Sequence, residues 1–318
     1  MLFIKRLLQF IFALIVLCFI ALTAYIYIEP EQATRMAVDF EREQSGLVRK
    51  EITASDGLHY AYLEGGQGDP LILLHGFAAD KDNFTRVARW LTPHYHVIIP
   101  DLIGFGESDH PESIDYSAHA QAERLQVLAQ SLGLSKFDLG GSSMGGQIAL
   151  LWAVKHPDAV RSLWLLDPAG IWSAPESELA RIVLADSGNP LIAHNEDEFA
   201  ATCEFVMEDP PFIPRPMLNV MAQERIKHAK LYQRIFDVIS TEPIEDDVTG
   251  LPTPSFIMWG AHDRALDVRT ADVLSGLLPN SEIDVLKGVG HLPMIEKPRR
   301  SAEDYLRFRS EQVKPVSK

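Results

Sequence analysis

Cysteine is almost missing from this chain: its 318 residues contain only Cys18 and Cys203. The first lies in an apolar run and the second far from it, so neither a disulfide framework nor a cysteine metal site can be built. Basic residues are also scarce, 29 Lys and Arg against 44 Asp and Glu, for a net charge of −15. A surface of that sign repels a phosphate backbone, which argues against nucleic acid as a partner. Internal repeats and low-complexity tracts are lacking too. What remains is a chain long enough to bury a large core, with an apolar content of 47% that leaves room for something more.

The something more is a stretch without charge. Between Leu7 and Ile28 there is no charged residue, while Lys5 and Arg6 precede the run and Glu29-Pro30-Glu31 follows it. As a helix rising about 1.5 Å per residue the run measures roughly 33 Å, enough to cross a bilayer. A cleaved secretory signal is the rival reading, because Lys5-Arg6 looks like its basic flank. The run is longer than such a signal needs and offers only a poor small-residue site near Ala24, so an uncleaved single-pass anchor is expected. Cys18 follows Leu17 rather than the small residue of a lipoprotein site. The basic pair favours an inside N-terminus, with the rest of the chain on the non-cytoplasmic, periplasmic or luminal, side. Arg35 and Arg42 beyond the span make that bias slight.

After the anchor the pattern divides the chain. Residues 1–6 are a basic flank, 7–28 the anchor and 29–46 a charged, helix-compatible connector. Two strand-like runs, KEITA and LHYAYLEGG, flank Asp56-Gly57 and predict a hairpin at a sheet edge. From Pro70 strands alternate with helices: PLILLHG, a helix near Asn83 to Leu91, YHVIIPD, a helix over Ala118 to Leu132, KFDLGGSS, another helix, and VRSLWLLD. Strands as wholly apolar as Leu71 to Leu74 belong in a sheet covered on both faces, and helical spacers make it parallel. The fold class is α/β, a mostly parallel, doubly wound sheet. Residues 47–170 and 248–314 supply it, and 171–247, with helical fragments and a proline-broken apolar segment, interrupt it as a cap over the strand ends.

Between strand and helix stands Gly141-Ser142-Ser143-Met144-Gly145, a G-x-S-x-G nucleophile elbow. So sharp a turn pushes Ser143 out at the strand end, and glycine on either side lets the neighbouring backbone approach. A serine hydroxyl attacks poorly until a base removes its proton, so a histidine is required. Of eleven histidines, His291 in Gly288-Val289-Gly290-His291-Leu292 is best placed, in a glycine-flanked loop after the last strand. The imidazolium needs a carboxylate to hold its ring. Asp263 ends the preceding strand in Trp259-Gly260-Ala261-His262-Asp263, with Asp267 and, more seriously, Asp167 as alternatives.

An oxyanion needs donors that do not reorganise, and backbone N–H groups serve. Met144, at the helix N-terminus, and Phe77, in the turn His75-Gly76-Phe77, are the candidates. His75 reads as a loop-bonding residue rather than a second base. The glycines of Asp101 to Ser108 read as backbone geometry, because no P-loop lysine follows. In the cap, Phe205, Met207, Phe212, Ile213, Met217 and Met221 either line an acyl-chain pocket or form the cap's own core. No metal or cofactor is expected.

The segments His75 to Asp82, Gly141 to Gln147, Asp167-Pro168-Ala169-Gly170, Trp259 to Val268 and Gly290-His291 resemble those of the lid-bearing α/β hydrolase superfamily, over Leu47 to Gln312. More closely the chain looks like the membrane-anchored monoacylglycerol lipase group and related bacterial lipases, the anchor being part of the likeness. The order Ser143, Asp263, His291 is that of the superfamily. The resemblance implies a serine carboxylic-ester hydrolase acting on glycerolipid esters, monoacylglycerols or short to medium acyl esters. It implies Ser143 as nucleophile, Asp263 and His291 as its partners, and Phe77 with Met144 as oxyanion donors. Asp167 departs from the apolar or sulfur-bearing residue expected before Pro-Ala-Gly, which leaves the alternative acid open. A carbon–carbon hydrolase of the meta-cleavage type shares the Ser-Met-Gly-Gly elbow, but its oxyanion turn is usually richer in glycine. A catalytically silent binding module is the third alternative. Epoxide hydrolases and haloalkane dehalogenases need an aspartate at position 143.

Overall fold

The computed structural model describes residues 2–312. It begins with a helix, α1 (Leu2–Ile28), exposed over most of its length and long and apolar enough to cross a membrane. Glu29 and Pro30 break it. Pro30 opens α2 (Pro30–Gln44), where its missing N–H costs nothing. This connector is not a loose tether: Arg42 makes a two-pronged contact with Asp82 at 2.8 and 2.6 Å, and Ser45 Oγ donates to the Thr85 carbonyl. The apolar helix and the sheet are thus joined by a docked element.

The expected hairpin is present. β1 (Leu47–Thr53) pairs antiparallel with β2 (His59–Gly65), in a register that closes at Thr53 and His59. Next come β3 (Asp69–Leu74), a short turn of 3-10 helix at Lys81–Phe84, α3 (Thr85–Leu91), β4 (Tyr95–Pro100) and α4 (Ala118–Ser131). Ser117 starts α4 by accepting the Ala120 N–H. β5 (Phe137–Ser142) leads through the elbow into α5 (Met144–Lys155), and β6 (Val160–Leu166) follows. The chain then leaves the sheet for α6 (Glu178–Leu184), α7 (Glu196–Val206), α8 (Arg215–Lys227), α9 (Ala229–Ile239) and α10 (Glu245–Val248). It returns as β7 (Ser255–Gly260), α11 (Thr270–Leu277), β8 (Ser281–Leu286), α12 (Pro293–Glu296) and α13 (Pro298–Gln312).

The eight strands form one sheet in the order β1-β2-β4-β3-β5-β6-β7-β8, and only the pairings of β2 are antiparallel. Its unbroken apolar runs have a direct cause. Alternate residues face opposite sides of a strand, so Ile72, Leu74, Ile257 and Trp259 join one core with α4, α5 and α11. Leu71, Leu73, Phe256 and Met258 join the other with α3 and α13. Both faces are dry, as a parallel sheet demands. The C-terminal ends of β3, β5, β7 and β8 therefore open towards the helices that intervene between β6 and β7.

Candidate functional site

Ser143 sits at the junction of β5 and α5 with φ 54° and ψ −121°, a strained conformation for a residue with a side chain. The flanking glycines explain how it persists. A Cβ on Gly141 would stand 2.2 Å from the Gly145 carbonyl oxygen, and one on Gly145 would stand 2.2 Å from that of Leu74. The backbone is pinned around the turn by Ser143 N–H donating to Leu166 and by Ala169 N–H donating to the Ser143 carbonyl, both at 3.0 Å.

His291 lies in the loop between β8 and α12. Its Nδ1 is 2.7 Å from Asp263 Oδ2, and the other oxygen of Asp263 accepts the N–H groups of Ala265 and Leu266 at 2.8 and 3.0 Å. That carboxylate is fully buried and cannot rotate without breaking these bonds. Asp267 instead pairs with the exposed Arg269 and faces away. Asp167 occupies an unexpected position: buried, at φ 45°, with Oδ1 accepting the Gly260 N–H at 2.8 Å. One oxygen of Asp167, one of Asp263 and a ring nitrogen of His291 lie within 4.8 Å of one another. Burial, and then the neighbouring Asp263 charge, push the Asp167 carboxyl well above the ordinary carboxylate range.

The turn after β3 runs against the nucleophile. A Cβ on Gly76 would meet Ser143 Cβ at 3.2 Å, so Phe77 begins where that backbone passes the serine. Met144 is the first residue of α5, whose leading N–H groups have no partner inside the helix. His75 is buried and bonded on both ring nitrogens: Nδ1 to the Gly76 carbonyl at 2.8 Å and Nε2 from the Leu102 N–H at 3.0 Å. Burial holds its pKa down to about 4, so it is a neutral brace. In the turn after β4, Gly106 has φ 56° and a Cβ there would lie 2.3 Å from the Asp101 carboxyl carbon, so its glycines do answer backbone geometry.

Ser143 and His291 line one cavity of about 290 Å³, together with Gly76 and Phe77. Of the cap residues picked from sequence, Met207, Ile213 and Met221 are in its wall. Three are not. Phe205 is buried in a separate small cluster with Leu179 and Ala265, Arg264 lying over its ring at 4.5 Å. Phe212 is 92% exposed, and Met217 stays outside the wall. Sequence reading missed Val38 and Glu41 of α2, Phe199 and Cys203 of α7, and Arg225 of α8, all of which contribute. It also missed Glu296. That buried carboxylate accepts the N–H groups of Gly290, Glu208 and Asp209, each at 2.9 Å, tying the His291 loop to the cap. The only sequence signal was an acid five residues after His291.

A mostly parallel sheet, a strained serine between strand and helix, and an imidazole bonded to a buried carboxylate at neighbouring strand ends define a serine hydrolase of α/β type. The chain belongs to the alpha/beta hydrolase fold family, which matches residues 69–298. Lipase 1 of Psychrobacter immobilis is 41% identical over 285 residues, covering 87% of this chain and 89% of the lipase. Monoacylglycerol lipase abhd6-A of Xenopus laevis is 30% identical over 265 residues, covering 77% of this chain and 78% of the relative. Among solved structures, a membrane phospholipase A described as a bacterial virulence factor superposes with a TM-score of 0.87 at 34% identity, covering 96% of this chain and 99% of that one. These relatives favour an ester hydrolase over the carbon–carbon hydrolase and the silent module.

Proposed function

We propose that this protein hydrolyses glycerolipid esters bearing one acyl chain, monoacylglycerols or short to medium acyl esters, at a membrane surface. Ser143 Oγ attacks the ester carbonyl carbon and its proton passes to His291 Nε2. The carbonyl oxygen takes the negative charge between the N–H groups of Phe77 and Met144. Collapse breaks the bond to the alcohol, which leaves with the proton from His291. Water then attacks the acyl-enzyme, giving a proton to His291, and the fatty acid departs as Ser143 regains its hydrogen. Asp263 holds the ring so that Nε2 faces the serine and offsets the imidazolium charge. The observation that carries this reading is the 2.7 Å contact between His291 and Asp263 beside the cavity that Ser143 shares.

Size supports one chain. Sites for drug-sized ligands occupy ~300–1,000 Å³, and this cavity of about 290 Å³ is at the small end. Position supports lipid: α2, which continues from the apolar α1, contributes Val38 and Glu41 to the wall. The apolar helix serves as a single-pass anchor, Lys5 and Arg6 remaining inside and the catalytic domain outside. Anchored this way, the enzyme meets its substrate at the high concentration of a bilayer. The test is full-length protein in detergent micelles, assayed with monoacylglycerols and with p-nitrophenyl esters of graded length, beside Ser143→Ala. Turnover should fall by about 10⁶ in the variant. Undiminished turnover would reject Ser143, and failure of the parent on every ester would reject the activity.

A further inference from the structure

A second cluster of ligand-bearing side chains lies outside the Ser143 cavity, where α8 meets the core. His110 comes from the loop between β4 and α4. Glu224 lies on α8, and His228 caps the helix one turn later, so the two share a face. Glu224 Oε1 is 3.1 Å from His228 Nε2 and 3.6 Å from His110 Nε2. One ligand atom from each of the three lies within 4.8 Å of the others. His110 Nε2 is buried and makes no hydrogen bond among the described residues. An imidazole nitrogen left in that condition requires an explanation.

We propose that His110, Glu224 and His228 bind a divalent transition metal of the zinc class, and that the ion staples the cap to the core. Four ligands on arms of ~2.0–2.2 Å sit about 3.3 to 3.6 Å apart in a tetrahedron. The observed 3.1 and 3.6 Å bracket that range. Two imidazoles and one carboxylate suit zinc, copper or nickel, whereas calcium and magnesium prefer all-oxygen shells. The two rings now stack, centroids 4.1 Å apart and planes 20° apart. Ligation turns them until their lone pairs converge, along χ2 torsions whose wells are broad. The side chains keep 15, 17 and 33% of their exposure at His110, His228 and Glu224, so an ion has a route in and water can take the fourth position.

The staple would bear on the catalytic side of the cap. Arg225, next to Glu224, reaches Asp80 at 2.6 Å, beside the turn that carries Phe77. The His228 ring lies 6.2 Å from that of Tyr232, which packs 5.9 Å from the Phe77 ring. The other trio with metal-like spacing among the described residues, Asp167, Asp263 and His291, lines up with the Ser143 cavity through the His291–Asp263 hydrogen bond.

Full-length protein in detergent micelles, stripped with EDTA, is titrated with ZnCl2 against a chromophoric chelator, and separately with Co²⁺ while its visible spectrum is recorded. The expected result is one Zn²⁺ per chain at micromolar or tighter affinity, the intense visible bands of tetrahedral Co²⁺, and a rise in Tm. His110→Gln, which leaves α8 untouched, and His228→Ala should each weaken binding by at least about a hundredfold, while His291→Ala should bind as the parent does. Binding unchanged in His110→Gln/His228→Ala, or lost in His291→Ala instead, would overturn the assignment. So would a parent that takes up no Zn²⁺ below millimolar concentration.

Discussion

Replacing Asp167 with Asn should leave ester turnover within about threefold of the parent, whereas Asp263→Asn should lower kcat by about 10⁴, or about 5.4 kcal/mol of transition-state stabilisation. Two carboxyls this close cannot both ionise readily, and one retains a proton. Asp263 faces the imidazole and two backbone donors, so the proton belongs on Asp167, whose pKa burial and Asp263 raise. Asn copies that neutral acid. Its carbonyl can accept the Gly260 N–H now held at 2.8 Å, and its amide fills the place of the second carboxyl oxygen without adding a charge. An acid with a raised folded-state pKa stabilises the fold fully below its unfolded value, about 3.9, and that contribution is lost as pH rises through the folded value. Asn does not titrate. The Tm of Asp167→Asn relative to the parent should therefore climb as pH rises above about 4. Kinetics on a p-nitrophenyl ester and thermal melts across the pH range read both effects. A loss of rate in Asp167→Asn equal to that in Asp263→Asn, or a variant Tm that falls relative to the parent with rising pH, would refute the division of roles.

Glu296→Ala leaves the N–H groups of Gly290, Glu208 and Asp209 without their acceptor. At ~1–3 kcal/mol for each group that finds no water, the melting temperature should fall by several degrees and kcat should drop, since the His291 loop loses its tie. Arg225→Leu takes the charged partner from the partly buried Asp80 carboxylate; a cost of about 1.5–3 kcal/mol, that of a hydrogen bond to a charged group, is expected in denaturant titration. Val38→Trp fills part of the cavity wall on α2, and should lower kcat/KM on long-chain esters by at least about tenfold while sparing the acetate. Removing residues 1–28 should keep turnover of water-soluble esters within about twofold and depress turnover on lipid vesicles.

Much of the architecture was legible because each strand carries its own signature. The doubly apolar runs of β3, β4 and β7 can only belong to a sheet covered on both sides, and the glycines of the elbow mark a contact that no side chain permits. The candidate site was legible for a related reason: Ser143, Asp263 and His291 each end or follow a strand, and strand ends converge. Asp167 was noticed but not understood. Its role depends on a carboxyl 96 residues away in sequence, and no local pattern records which of two acids keeps a proton.

The cap was read by hydrophobicity, and periodicity would have served better. On α7 the residues in the cavity wall are Phe199, Thr202, Cys203 and Val206, a stripe at i, i+3, i+4 and i+7. Phe205 lies off that stripe and packs towards Arg264 on the other side. On α8, Leu218, Met221 and Arg225 make the equivalent stripe and Met217 falls beside it. Between the helices Pro211 and Ile213 face the cavity, so Phe212 in an extended segment must face away, which is how it comes to be exposed.

The same elements explain why the site cannot be assigned to the sheet alone. The sheet positions Ser143, but the His291 N–H donates to the Val206 carbonyl at 2.7 Å, at the end of α7. Glu296 bonds to both sides of that junction. Arg225 of α8 holds Asp80, and Arg42 of α2 holds Asp82, so the turn following Phe77 is gripped by α8 and by α2 within three residues. Partly buried ion pairs of this kind add little to stability over apolar contacts, because desolvation offsets most of the attraction. Their effect is on geometry: each fixes a backbone segment whose N–H groups or imidazole must be placed to within a fraction of an ångström. A shift of α2 or α8 is therefore a shift of the turn proposed to bind the oxyanion, and substitutions at Arg42 should lower kcat more than KM although the residue touches no substrate.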